Sequence, residues 1–99
     1  MQPVVYILYS NKLTRFYTGV TTLSADERLE HHLEKKYGKG HYTQKADDWT
    51  LFHCIECEDF FQARRMELYI KRMKSSVYIR NLKKYPELVD KLLIKFQSI

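Results

Sequence analysis

Tyr6 and Tyr17 stand in two β-rich runs, Val4–Tyr9 and Phe16–Thr21, joined by the short polar stretch Ser10–Arg15. A connector of that length suits a hairpin, and a hairpin brings the two phenols to one place. A phenol hydroxyl can donate and accept hydrogen bonds. With a pKa of about 10 it is a poor base at neutral pH unless nearby cations lower that value. Cations are in excess here, with 17 Lys and Arg against 12 Asp and Glu and a net charge of +5. On a small chain that excess favours polyanionic partners. Eight tyrosines among the cations suit nucleic acid, although tyrosine is equally an ordinary strand residue.

Two further groups could carry chemistry. Arg64, Glu67, Lys71 and Lys74 share one stripe of a helical pattern. Within it, Glu67 and Lys71 at i, i+4 are also the ordinary exposed pair of a surface helix. Cys54 and Cys57 form C-x-x-C, but the surrounding run Leu51–Glu58 reads as a strand, where positions three apart face opposite ways. No second Cys or His pair stands at zinc-like spacing, and a redox C-x-x-C should open a helix. Two reduced thiols are the expectation.

These side chains need elements to hold them. Val4–Tyr9 is almost wholly apolar and reads as a central strand, with Phe16–Thr21 antiparallel to it. Ser24-Ala25-Asp26-Glu27 is a capping box for a helix to about Lys36, with Leu29 and Leu33 on its buried face. Tyr37–Asp48 reads as a loop rich in cations and aromatics. Trp49–Glu56 is a third strand. Asp59-Phe60-Phe61-Gln62 is a second capping box, opening a helix to about Lys74 with the apolar stripe Ala63, Met66, Ile70 and Met73. Ser75 or Ser76 can cap a helix over 76–84, and Pro86 suits the first turn of a last helix ending near Phe96. The order β-β-α-β-α-α-α predicts an α+β fold, a small three-stranded mixed or antiparallel sheet flanked by helices. The 99 residues fit one domain, with a core over about 3–75 and a helical extension over about 76–99. That extension is expected to pack on the core rather than form a dimer seam, so a monomer is favoured. No apolar run is long enough to span a membrane. Met1 leads straight into a strand-like run without a basic n-region, which makes a cytoplasmic protein the expectation.

The ordered set resembles the GIY-YIG nucleases, a family with a three-stranded sheet and one tyrosine in each of the first two strands. Val4-Val5-Tyr6 stands where the first triplet belongs, with Val4 in place of its glycine, and Tyr17-Thr18-Gly19 stands where the second does. Arg28 matches the arginine of the first helix, and His32 a histidine one turn later. Glu67 matches the metal-binding glutamate of the helix after strand three. The resemblance covers about residues 3–75. It is nearest to the short stand-alone bacterial members, the YhbQ-like or UPF0213 group, through Gly38-Lys39-Gly40, Tyr42-Thr43, Trp49 and Lys71.

The resemblance implies a metal-dependent endonuclease that hydrolyses DNA phosphodiester bonds, of the kind serving repair or recombination. The partner would be DNA, branched or nicked forms included, and the cofactor Mg²⁺ or Mn²⁺. One carboxylate, Glu67, suffices for Mg²⁺, which keeps most of its waters. Arg28 would hold a fixed fork of donors against phosphate oxygens. Tyr6 or Tyr17 would orient or deprotonate the attacking water. His32, at i, i+4 from Arg28 and titrating nearer neutrality, competes for the role of base. Lys36, Lys39, Lys45, Arg64, Lys71 and Lys74 form a candidate phosphate track, with a solvated basic surface as the plain alternative. Gly19 has a structural place, as a bulge or a close approach. Two other functions remain open: a non-catalytic nucleic-acid-binding module on the same fold, and a protein-interaction domain that uses the C-terminal helices.

Overall fold

The computed structural model describes residues 2–22 and 45–97. Three strands form one sheet: β1 Val4–Ser10, β2 Arg15–Thr21 and β3 Thr50–Glu56, in the order β2-β1-β3. Both pairings are antiparallel, so the expected mixed or antiparallel sheet is antiparallel throughout. Three helices follow: α1 Phe60–Met73, α2 Ser76–Lys84 and α3 Pro86–Lys95. The helix expected over 24–36 lies outside the described residues. The fold is α+β as anticipated.

β1 is central because it is apolar on both faces, and its four residues Val5 to Leu8 are all fully buried. Its alternation divides the molecule. Val5 and Ile7 point to a core completed by Ile55, Ala63, Met66, Ile70, Ile79, Leu82 and Leu92. Tyr6 and Leu8 point to the other face, where Ala46 and Trp49 cover them and Leu13, Tyr17 and Leu51 close the edges. A bulge interrupts the β1–β3 pairing. Ile7 pairs with His53 but Leu8 with Leu51, which leaves Phe52 as the extra residue. Phe52 turns to the helix-covered face and stands 4.9 Å from Phe16, ring to ring.

The hairpin tip is pinned from a distance. The buried Ser10 hydroxyl donates to Asp48 at 2.5 Å, and Asp48 also accepts from the Lys12 amide at 2.9 Å. Lys12 Nζ meets Asp47 at 2.6 Å. Ser10 Oγ in turn accepts from the Leu13 amide, closing the turn over residues 11–14, and Thr14 takes φ 54° to let it close.

The second capping box forms. Asp59 accepts from the Gln62 backbone amide at 2.8 Å as expected, and the Gln62 side-chain oxygen reaches back to accept from the Glu58 amide. The Gln62 amide nitrogen donates to the Leu93 carbonyl at 2.7 Å. One buried glutamine therefore ties α3 to the start of α1. Ser75 caps α2 by accepting from the Tyr78 amide, and Pro86 opens α3. Leu92 lies in the core and Leu88, Val89, Leu93 and Phe96 pack against it, so the last helix is part of the fold. Met73 does not join the apolar stripe. Lys74 ends α1 in the left-handed conformation, and the turn there leaves Met73 exposed, at 42%.

Candidate active site

The register decides where the phenols go. Tyr6 pairs with Gly19 and Leu8 with Tyr17, so Tyr6 and Tyr17 share one face of the sheet on neighbouring strands. Their rings are 6.2 Å apart, tilted by 41°. Tyr17 is half-buried and has Trp49 on another side, 6.4 Å away and edge-on. Tyr6 is completely buried.

Gly19 explains how Tyr6 fits. A Cβ at that position would stand 2.5 Å from Tyr6 Cζ and 2.8 Å from Cε1, inside any contact distance. The β1–β2 register runs without a break through Gly19, so the glycine marks no bulge; the sheet's irregularity is on the β3 side. Its hydrogen side chain leaves the room that the phenol ring occupies.

Glu67 sits midway along α1 and is buried, although sequence spacing alone makes it an exposed pair with Lys71. Both its oxygens are engaged. Arg64 Nη1 meets Oε1, and Lys71 Nζ meets Oε2 at 3.1 Å. The cations are about half exposed while the carboxylate side chain is 7% exposed, so the charge is neutralised from the solvent side. Lys71 reaches further. Its Nζ lies 5.5 Å from the centre of the Tyr17 ring, within the range of a cation–π contact. A chain of contacts thus runs from Tyr6 to Tyr17, to Lys71, to Glu67 and to Arg64.

Beside this chain a groove of about 270 Å³ opens between β2 and the α1–α2 junction. Lys71 and Lys74 line it, as do Tyr17 and the hydroxyl residues Thr14, Thr18, Ser75 and Ser76; Phe16, Ile70 and Ile79 add apolar surface. Nothing in the sequence marks this groove, because it exists only where α1 crosses the edge strand. Ser75 and Ser76 were legible as caps alone.

Of the expected site residues, the structure brings together Tyr6, Tyr17, Gly19, Glu67, Arg64, Lys71 and Lys74. Lys45 is exposed on the segment leading to Trp49. Arg28, His32, Lys36 and Lys39 lie outside the described residues. Cys54 is exposed and Cys57 buried, and neither forms a disulfide among the described residues. Burial pushes the Cys57 thiol up to about 11, which makes it inert at neutral pH. Among the described residues no cluster of three His, Cys, Asp or Glu side chains could cage a metal. Glu67 fits a divalent cation in kind: it offers hard oxygens, and Mg²⁺ needs few protein ligands. The fit requires a cation partner to yield, which the half-exposed Lys71 and Arg64 side chains can do.

These features define a small α+β domain with a phenol-bearing hairpin linked through a lysine to a helix-borne carboxylate. The model of the GIY-YIG catalytic domain matches residues 2–84, and the chain belongs to the GIY-YIG family, a nuclease-type fold. No curated protein and no solved structure matches it. Among the described residues no helix is long and apolar enough to cross a membrane.

Proposed function

We propose that this domain is a metal-dependent endonuclease that hydrolyses phosphodiester bonds in DNA. The observation that carries the reading is the contact chain Tyr6–Tyr17–Lys71–Glu67, in a chain of this family. In hydrolysis the oxygen of water attacks phosphorus, the bond to the leaving oxygen breaks, and the proton of the water passes to a base. Tyr17 is the half-buried phenol and the better placed of the two to meet that water; the fully buried Tyr6 positions it from behind. Arg28 and His32 complete the proposal on the strength of their match to the family pattern, as phosphate clamp and rival base. Glu67 would hold Mg²⁺ or Mn²⁺, which supplies neutralisation of the phosphate and of the leaving oxygen. Such preorganised charge contributes a few kcal/mol per group, roughly 10²-fold in rate.

We place the chain, on the same footing, among the short YhbQ-like bacterial members, supported by Trp49 against Tyr17 and by Lys71 beside Glu67. The exposed thiol of Cys54 fits a reducing compartment such as the cytoplasm. A non-catalytic DNA-binding module is the second reading, favoured by one observation: both oxygens of Glu67 already carry cations. A panel of duplex, nicked, branched and single-stranded DNA, incubated with Mg²⁺ or Mn²⁺, separates the two. The nuclease reading expects nicking that Glu67→Gln abolishes and Tyr17→Phe lowers roughly 10²-fold. Binding without cleavage of any substrate by well-folded protein leaves the second reading.

A further inference from the structure

The geometry points to a seat for a DNA phosphodiester in the groove between β2 and the α1–α2 junction, coupled to Glu67 through Lys71. A divalent cation that takes an oxygen of Glu67 releases Lys71 to the phosphate. The inference rests on the DNA reading above and adds where the strand lies and what ties its binding to the cation.

Lys71 serves two places at once. Its Nζ stands 3.1 Å from Glu67 Oε2, and the same side chain lines the groove with Lys74. Arg64 holds the other oxygen but does not line the groove. A divalent cation at the carboxylate puts two positive charges beside an arginine and a lysine that already neutralise one negative charge. The like charges repel, and the side chain that yields most readily is the lysine, a compact charge on a flexible stem. Swung off Glu67, its ammonium joins Lys74 on the groove side. There a phosphodiester finds two ammonium groups and the hydroxyls of Thr14 and Ser76, with the partly buried Phe16 ring as an apolar surface for sugar. Because linkage is reciprocal, DNA in the groove tightens cation binding by the factor that the cation tightens DNA.

The test measures DNA binding by fluorescence anisotropy, with Ca²⁺ as a cation that binds oxygen ligands while turnover is held low. Wild-type protein should bind duplex about 3- to 10-fold tighter with Ca²⁺. Its salt dependence should steepen by about one unit of log–log slope for the one lysine released. Glu67→Gln without cation should match the Ca²⁺-loaded wild type and gain nothing more from Ca²⁺. Lys71→Met should abolish both responses, and Lys74→Met should weaken binding by one factor with or without Ca²⁺. Circular dichroism melting of each variant confirms that it is folded. Equal tightening by Glu67→Gln in the wild-type and Lys71→Met backgrounds would mean that net charge alone matters, and overturns the coupling. A Ca²⁺ response that survives Lys71→Met overturns it too. Cleavage without coupling removes this inference and leaves the nuclease; coupling without cleavage removes the nuclease and leaves the groove.

Discussion

Gly19→Ala isolates the packing on which the two phenols depend. The new methyl would stand 2.5 Å from Tyr6 Cζ and 2.8 Å from Cε1. Carbon atoms pack at about 3.5–4.0 Å, so the overlap is roughly 1 Å against a rigid ring. Tyr6 has no exposed surface and nowhere to turn, with Tyr17 on its own face. Overpacking of this kind costs about 1–3 kcal/mol, offset by about 0.5–1 kcal/mol from removing a glycine inside a strand. A net loss of about 1–2 kcal/mol lowers Tm by roughly 5–15 °C in a domain of this size. Thermal and urea unfolding measure it, with an unchanged m-value expected. The decisive control is the same change in a Tyr6→Ala background, where the methyl meets no ring and should be neutral or stabilising by up to about 1 kcal/mol. If the two backgrounds give the same cost within about 0.5 kcal/mol, Gly19 is not there to clear Tyr6. Under the proposed function the variant also loses activity roughly 10²-fold, the cost of about 1 Å of misplacement at a reacting centre.

Removing both Arg64 and Lys71 as alanines should destabilise by about 3–5 kcal/mol, because Glu67 stays buried without a counter-charge; adding Glu67→Gln should recover most of that, both read by urea unfolding. Gln62→Leu leaves the Glu58 amide and the Leu93 carbonyl without their partner, and should cost about 2–4 kcal/mol and raise hydrogen exchange along α3. Burial raises the Cys57 thiol from its ordinary 9.0 to about 11, so its neutral form favours the fold. That contribution is fully present below about pH 9 and lost as pH rises through about 11, up to roughly 3 kcal/mol in all. Cys57→Ser should flatten this alkaline loss, and native protein should be alkylated at Cys54 alone. The Asp48 carboxyl is held below its usual value, first by the Ser10 hydroxyl and then by the Lys12 amide. Its contribution is present above the usual carboxylate pKa and lost as pH falls through the lowered one. Asp48→Asn should therefore shift acid unfolding to a less steep profile.

Local signals were legible where local physics decides. Asp59, Ser75 and Pro86 sit at helix starts because each satisfies or avoids an orphan amide, and that depends on the next few residues alone. The hairpin was readable from the apolar run of β1 and a polar connector. The family resemblance names Glu67 as a site residue, but its burial was not legible: its spacing to Lys71 is that of a surface pair, and its burial follows from how deeply α1 settles against the sheet. Met73 differs in the opposite sense: helical periodicity assigns it to the core, while the structure leaves it exposed as the last residue of α1, just before the left-handed Lys74. Gly19 has a meaning only once the register sets it opposite Tyr6. The ties of Gln62 to Leu93 and Ser10 to Asp48 span 31 and 38 residues, and no window of sequence links their ends.

The strand order sets a timetable for folding. β1 meets β2 across a turn of four residues, but meets β3 only after the chain has run from Thr21 to Thr50. Loop-closure entropy grows slowly with length, yet it must be met before the β1–β3 ladder gives anything back. The hairpin can therefore form early, with one edge of its apolar central strand still open. Until β3 arrives, that edge offers unpaired amides and carbonyls beside Val5 and Ile7, a template for another chain. Asp48 stands two residues before β3 and grips the hairpin tip through Ser10 and Lys12, so it delivers the missing strand to the correct edge. Weakening that grip should show first as slower refolding and aggregation at high protein concentration, before any change in the finished structure.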